Sequence, residues 1–373
     1  MPDELSSRQR LLRCFRHQEI DRTPATVYYI DPHDPSTFRS QHPTYLEYAE
    51  IARQYDDTFV PAGVGGQGIY WSASDQVSSR TETHIEGSTH YLTNILETPK
   101  GTLTSRHRRD EGVATSWELE PLLKTKEDEE KFLSMPFVPP QLDFSNYDEK
   151  ASAIGDRGVL ITGLPDPICI IYPAMRWERF SAAAMERPRD ILRLLEFVSE
   201  RLEWYVRRLA EYCHETVFRI AGPEYLGEPL ASPRLFRDFC LDFDRRLIEI
   251  IRASDNFACV HCHGRLGGIL DMIAEMQPHL LEPLEPPPDG DVTLKELKRR
   301  VGGDICLMGY IEFRHIEYDE PHVLEQRIAE ACRDGAETGY VLLPTAGPIQ
   351  ALTQRSLENH RLFFEAARRY GRR

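Results

Sequence analysis

The run Phe257-Ala258-Cys259-Val260-His261-Cys262-His263-Gly264 is apolar and strand-like until it stops in two histidines that flank a cysteine. Alternate side chains of a strand share a face, so His261 and His263 point to one side and Cys262 to the other. That spacing suits two nitrogen ligands of one metal ion, and the glycine lets the backbone turn sharply behind them. On this motif alone, two histidines satisfied by hydrogen bonds in a core or loop are an equal alternative.

A sheet must carry such a strand end. Short apolar runs that read as strands occur at 26–30, 58–61, 159–163, 216–221, 257–261, 280–284, 305–309 and 340–343. Helical patterns lie between them, at 7–16, 45–55, 188–213, 233–253, 268–276, 294–301, 321–333 and 349–370. In 188–213, Ile191, Leu192, Leu195, Val198, Leu202 and Val206 recur at three- and four-residue spacing, as in an amphipathic helix packed on a sheet. Eight strands alternating with helices predict an α/β chain folded as a (β/α)8 barrel, a single domain over 1–373. Residues 65–143, rich in Thr and Glu with hairpin-like alternation, read as a β-rich insertion between the second and third barrel strands. Pro136 to Pro140 form its exit linker. The phosphate-cradling glycine motifs are absent, and Gly63 to Gly68 read as a flexible loop because Tyr70 and Trp71 follow it in place of a helix.

In such a barrel the chemistry sits at the carboxyl ends of the strands. Those ends carry Asp31, Asp166, Glu224, His261, His263, Glu282, Glu285, Tyr310, Glu312 and Thr345. Each carboxylate also has a structural alternative. Glu282 and Glu285 lie among prolines that fix an extended loop, Asp166 suits a turn, and Glu224 could pair with Arg219. Tyr29, Tyr70, Trp71, Trp117, Trp177 and Tyr225 follow strands or fall in the 65–143 insertion, which is expected to cover the mouth of the site. With Asp31, Arg219 and Glu282 they are the candidate substrate-binding residues.

Composition limits the partners. The chain has 373 residues, 41% hydrophobic and 28% charged, and a net charge of −15, which disfavours nucleic acid and anionic membranes. The short basic segments, such as Arg106 to Arg109, read as solvated faces. Eight cysteines without a CxxC pair read as reduced thiols. The acidic opening has no apolar leader core and no run is long enough to span a bilayer, so a cytoplasmic protein is expected.

The order of segments resembles the uroporphyrinogen decarboxylase superfamily, which holds the heme-pathway decarboxylase and the zinc methyltransferases that move methyl groups from corrinoid proteins to thiols. The resemblance rests on Arg8-Gln9-Arg10-Leu11-Leu12 through Asp21-Arg22-Thr23-Pro24, on His261-Cys262-His263-Gly264, on Val292 to Gly302, and on Leu307-Met308-Gly309-Tyr310-Ile311. It implies a (β/α)8 barrel. The decarboxylase branch holds substrate carboxylates with arginines near the first strand, where this chain reads Val27-Tyr28-Tyr29-Ile30-Asp31-Pro32-His33, so a polyanionic tetrapyrrole has lost its clamp. The methyltransferase branch has His-x-Cys-Gly and a second, late cysteine. Here those cysteine positions hold His263 and Ala346, and only His261 carries over as a ligand.

Two imidazoles plus a carboxylate, Glu224 or Glu285, would leave a metal more Lewis-acidic than thiolates do. The expected activity is therefore zinc-dependent methyl transfer between a small molecule and a corrinoid, as a cofactor or on a partner protein. His261, His263, Glu224 and Glu285 would be metal ligands, and Glu224, Glu285, Asp166 and Tyr310 catalytic. The alternative enzyme is a metal-free decarboxylase or lyase acting on a small carboxylate, with Asp31, Asp166 and Tyr310 as proton donors. A non-catalytic ligand-binding barrel is a third reading, and a homodimer is compatible with all three.

Overall fold

The computed structural model of the chain describes residues 4–28, 30–34, 43–55, 57–111, 116–335, 338–348 and 351–372. Its strands, in chain order, are β1 (Thr58–Pro61), β2 (Ser78–Glu86), β3 (Thr89–Thr98), β4 (Gly101–Asp110), β5 (Trp117–Glu120), β6 (Gly158–Pro165), β7 (Val217–Ala221), β8 (Phe257–His261), β9 (Leu280–Leu284), β10 (Cys306–Ile311) and β11 (Tyr340–Pro344). The fold is mixed α/β. A seven-stranded parallel sheet runs β1-β6-β7-β8-β9-β10-β11, and β2 to β5 form a separate antiparallel sheet.

Among the described residues of 26–30 no strand is formed. Pro24 brings no N–H, and only a short bridge is made: Thr26 N donates to Leu342 O at 3.0 Å, and Leu342 N donates to Pro24 O at 2.9 Å. On its other side Ala25 O accepts from Asp57 N at 2.9 Å. The long helix expected over 233–253 is interrupted: Pro233–Phe236 is followed by a π-helical turn, Arg237–Leu241, before Asp242–Arg252.

The chain divides into two compact units, one of Met1–Gly63, Asn146–Leu164 and Ala210–Arg373, the other of Val64–Ser145 and Pro165–Leu209. In the first, the period-two alternation of the parallel strands builds a buried core from Val217, Phe257, Cys259, Leu280, Cys306, Met308, Val341 and Leu343. The helix Ser7–Phe15 covers it with Leu11, Leu12, Cys14 and Phe15, and its first turn is closed by a capping box between Ser6 and Gln9. Phe15 meets Phe257 edge-on at 5.2 Å. Asp57, wholly buried, accepts from Arg10 Nη1 at 2.7 Å, Arg22 Nη1 at 2.6 Å and Ala25 N at 2.9 Å. The basic and acidic residues of the opening motif are thus an internal network holding the 22–26 segment beside β1.

In the second unit, residues 65 and 143 are paired through Gly65 N to Asp143 O at 2.8 Å and the reverse bond at 3.0 Å. Between them lie the four antiparallel strands, β2 and β3 in register from Ser78 opposite Glu97 to Glu86 opposite Thr89. Removing a charged partner from a buried ionic network leaves an uncompensated charge at a cost of about 3–5 kcal/mol. Asp57→Ala should therefore lower the urea midpoint by that equivalent with the m-value unchanged. A loss below about 1 kcal/mol would show that Arg10 and Arg22 find other partners.

Candidate functional site

The interior face that is apolar at the starts of the strands turns polar toward their carboxyl ends. Val217 is followed two residues on by Arg219, Cys259 by His261, and Leu280 by Glu282, so the three polar side chains continue the rows of the core. His261 pairs in register with Glu282 across β8 and β9. Glu282 Oε1 accepts from Arg219 Nε at 2.6 Å and lies 2.8 Å from His261 Nδ1. Arg219 Nη2 lies 2.7 Å from Nδ1 and 2.9 Å from Nε2 of His261, and donates to the Tyr28 hydroxyl at 2.5 Å. The bonds at Glu282 Oε1 and at His261 Nε2 are compatible if His261 donates Nδ1–H to Glu282 and accepts from Arg219 at Nε2.

Burial works against the charge on Glu282, but His261 and Arg219 more than offset it and pull its pKa down to about 2. The carboxylate is fully buried, and its second oxygen has no hydrogen-bond partner among the described residues.

Above this layer stands a second imidazole–carboxylate pair. His263 Nδ1 lies 2.8 Å from Glu285 Oε1, and Glu285 Oε2 accepts from Gly264 N at 2.6 Å. Gly264 has a φ of +88°, which a side chain would strain, so the glycine of the motif lets its N–H turn onto Glu285. The two imidazole rings stand 4.6 Å apart, nearly perpendicular. The His263 side chain is 39% exposed, against 6% for His261. Burial disfavours the charged form of His263, yet Glu285, with Glu282 and Glu224 behind it, raises its pKa above the ordinary value. Glu285 in turn is held below the usual carboxylate range because His263 and the Gly264 N–H outweigh its burial.

Other expected residues are placed differently. Arg219 pairs with Glu282, while Glu224 folds into a tight turn and accepts from Gly222 N at 3.1 Å. Asp166, completely buried, caps the helix Pro167–Met175 by accepting from Cys169 N at 2.6 Å. Asp31 accepts from His33 N at 2.9 Å and lies 3.6 Å from Lys150 Nζ. Tyr310 adopts a positive φ of 83°, and burial raises its pKa. Tyr225 is half-buried. Tyr70, Trp71, Trp117 and Trp177 belong to the second unit; Trp117 and Trp177 are exposed there. Tyr29 lies outside the described residues.

Two further residues extend the polar arrangement. Tyr28 reaches Arg219 across 191 positions of sequence, which no local pattern could reveal. Glu312, at a strand end, accepts from Thr345 Oγ1 at 3.0 Å, and burial with the nearby charge of Glu285 raises its pKa.

Zinc can be tested against these donors. A carboxylate on each Nδ1 is the arrangement that orients metal-binding histidines. His261 Nε2, however, faces a guanidinium at 2.9 Å, and a cation there would stand against a second cation. Among the described residues, His261, His263, Glu224 and Glu285 do not bring three ligand atoms within 4.8 Å of one another. As arranged, the donors do not fit a zinc ion.

The mixed α/β fold, with strand-end histidines backed by carboxylates, belongs to an enzyme family that the sequence itself identifies. The family model for uroporphyrinogen decarboxylase (URO-D) matches residues 151–370, more than half of the chain. The chain belongs to that family. A comparison with curated proteins finds no match. Among solved structures, a methyltransferase from Methanosarcina mazei is similar over 98% of this chain and 99% of its own, with a TM-score of 0.62 at 13% identity. A B12-independent methionine synthase from Shewanella sp. W3-18-1 covers 62% of this chain and 68% of its own (TM-score 0.39, 12% identity). A D-psicose 3-epimerase from Clostridium cellulolyticum H10 covers 60% and 82% (TM-score 0.37, 12% identity). Among the described residues no helix is long and apolar enough to cross a membrane.

The His263–Glu285 pair sets a pH window. The raised His263 pKa contributes stability that is fully present below the ordinary histidine value near 6.5 and lost as pH rises through the folded value. The lowered Glu285 pKa contributes stability present above its ordinary 4.5 and lost as pH falls through the folded value. Between those two ordinary values both contributions are complete. In an NMR titration, Glu285→Gln should therefore lower the His263 midpoint, while Glu296→Gln, whose carboxylate pairs with Arg299, should leave it in place.

Proposed function

We propose that this protein is a decarboxylase or related lyase acting on a small carboxylate, with His263 as its proton donor. The observation that carries this reading is the His263–Glu285 pair: a part-exposed imidazole with a raised pKa, standing beside the buried Arg219–His261–Glu282 layer. His263 is better suited to the role than Asp31, Asp166 or Tyr310, because Glu285 favours its charged form beyond that of an ordinary histidine and it is open to a ligand.

Arg219, kept in place by Glu282 and Tyr28, supplies the positive charge that holds the anionic substrate. When the bond between carbon and carboxylate breaks, CO2 departs and the electron pair remains on the carbon. That carbon takes the proton from His263 Nε2, and solvent reprotonates the imidazole. Glu285 steadies the imidazolium beforehand and orients its ring. The 22–26 segment, bonded to Leu342 on one side and Asp57 on the other, supports the inference that it takes the eighth strand position of a closed (β/α)8 barrel in a single domain.

The carboxylate on each Nδ1 favours a second reading. In it, the donors would first have to rearrange, with His261 Nε2 released from Arg219, before the two imidazoles with Glu224 or Glu285 could hold zinc for methyl transfer between a small molecule and a corrinoid, as a cofactor or on a partner protein. The two readings separate on metal content and chelation. Incubated with a panel of small carboxylic acids, the protein should release CO2 at a rate that survives EDTA, and His263→Ala should lose about 10²- to 10⁴-fold while staying folded by circular dichroism. One zinc per chain, lost together in His261→Ala and His263→Ala, would replace decarboxylation with methyl transfer.

A further inference from the structure

The antiparallel sheet of the second unit carries a cavity of about 410 Å³ that the chemistry above does not use. One wall is apolar, made by Leu122, Ile170, Pro173 and Ala174, with Tyr70 beside them. The lining also includes a polar ladder across three strands. Thr81 Oγ1 donates to Asn94 Oδ1 at 2.9 Å, Asn94 Nδ2 donates to Ser105 Oγ at 3.4 Å, and Ser105 Oγ lies 3.3 Å from His107 Nε2. Thr81, Asn94 and Ser105 are directly opposite one another in register, so their side chains share one face. The ladder can both donate and accept.

The charged groups at the edge of the cavity are already matched. Arg80 donates to Glu97 at 3.0 Å, and Glu118 accepts from Arg176 Nε at 2.8 Å. The cavity therefore offers a ligand no unbalanced charge, and an ionic ligand would forfeit its hydration without a counter-ion.

An independent observation concerns how Tyr70 reaches the cavity. Ile69 N donates to Ser72 O and Ser72 N to Ile69 O, both at 3.0 Å, so residues 69–72 form a two-residue turn closed on both sides. Its central residues, Tyr70 and Trp71, have φ of 47° and 58°. Two positive φ values in succession are those of a type I′ turn, which Asn-Gly adopts without strain and bulky aromatics do not. Gly68, just before it, has a φ of +71°, and a Cβ there would meet Ser72 O at 2.2 Å. The turn sets the Tyr70 ring edge-on to Phe132 at 5.0 Å. Burial pushes the Tyr70 hydroxyl up to about 12, so it remains a donor, and it has no hydrogen-bond partner among the described residues. Backbone strain retained at a cavity wall is a mark of a ligand site.

We propose that this cavity binds a small uncharged aromatic molecule bearing a hydroxyl group. Its ring lies between Tyr70 and Pro173, and its hydroxyl joins the Asn94–Ser105–His107 ladder while Tyr70 donates to it. Phenol is the probe and benzoate the charged control, each titrated into the full chain and followed by the NMR signal of His107, identified by its loss in His107→Gln. Phenol should shift that signal saturably and benzoate should bind at least about tenfold more weakly. Asn94→Leu should weaken phenol about tenfold, the loss of one hydrogen bond in an apolar setting. Tyr70→Phe, which keeps the turn and the ring, should weaken it several-fold, and it carries the test if Asn94→Leu does not fold. No saturable shift with phenol, equal affinity for benzoate, or unchanged affinity in Tyr70→Phe would overturn the proposal.

Discussion

A carboxylate with no exposure to solvent dictates the arrangement at the strand ends. An ionised carboxylate cannot remain in a low-dielectric interior unless cations and donors surround it. Glu282 meets that demand with Arg219 from β7 and His261 from β8, and Arg219 extends the same network to Tyr28. Because each partner satisfies another, none of them can turn away singly without leaving a buried polar group unpaired. The layer is rigid for that reason, and it forms the floor on which the more open His263 is set. The buried carboxylate below and the more open imidazole–carboxylate pair above are thus held by separate sets of partners.

A second buried carboxylate performs a purely structural task. Asp57 draws Arg10, Arg22 and the backbone of Ala25 around itself, and the short 22–26 segment is thereby laid between β1 and β11. A segment interrupted by Pro24 could not hold that position through strand hydrogen bonds alone. Ion pairs of this kind add little net stability over an apolar packing of the same volume, but they fix one geometry, because a misplaced segment would strand a charge. Tyr28, which follows directly, is delivered to Arg219 as a result. The scaffold network and the site are in this way neighbours on one stretch of chain.

The second unit shows the opposite economy. Tyr70 and Trp71 each hold a left-handed conformation that costs about 1–3 kcal/mol, where glycine or asparagine would hold it freely. Packing recovers part of that cost, through Phe132 for Tyr70 and through Tyr205, 6.3 Å from Trp71. Side chains so placed are difficult to explain by stability alone, and they lie beside a polar ladder that crosses three strands of the sheet.

Much of this was legible from sequence because it follows from periodicity. Strands of alternating apolar residues between amphipathic helices require a covered parallel sheet, and the period of two that puts Cys259 in the core also puts His261 on the same face. The alternative in which Arg219 pairs with Glu224 gives way to Arg219 on Glu282, because proximity in sequence counts for little when a strand directs Arg219 inward and a tight turn folds Glu224 back on Gly222. Among the described residues of 26–30 the strand gives way to a short bridge at Ala25 for a related reason: local propensity cannot register that Ala25 is bonded to the distant Asp57 on one side and to Leu342 on the other. Sequence by itself determined which residue types lie at the strand ends and which face they occupy. Tertiary structure alone decided their partners, since Glu282 meets Arg219 across 63 residues and Tyr28 meets it across 191, and only the folded sheet brings those charges and donors within bonding distance.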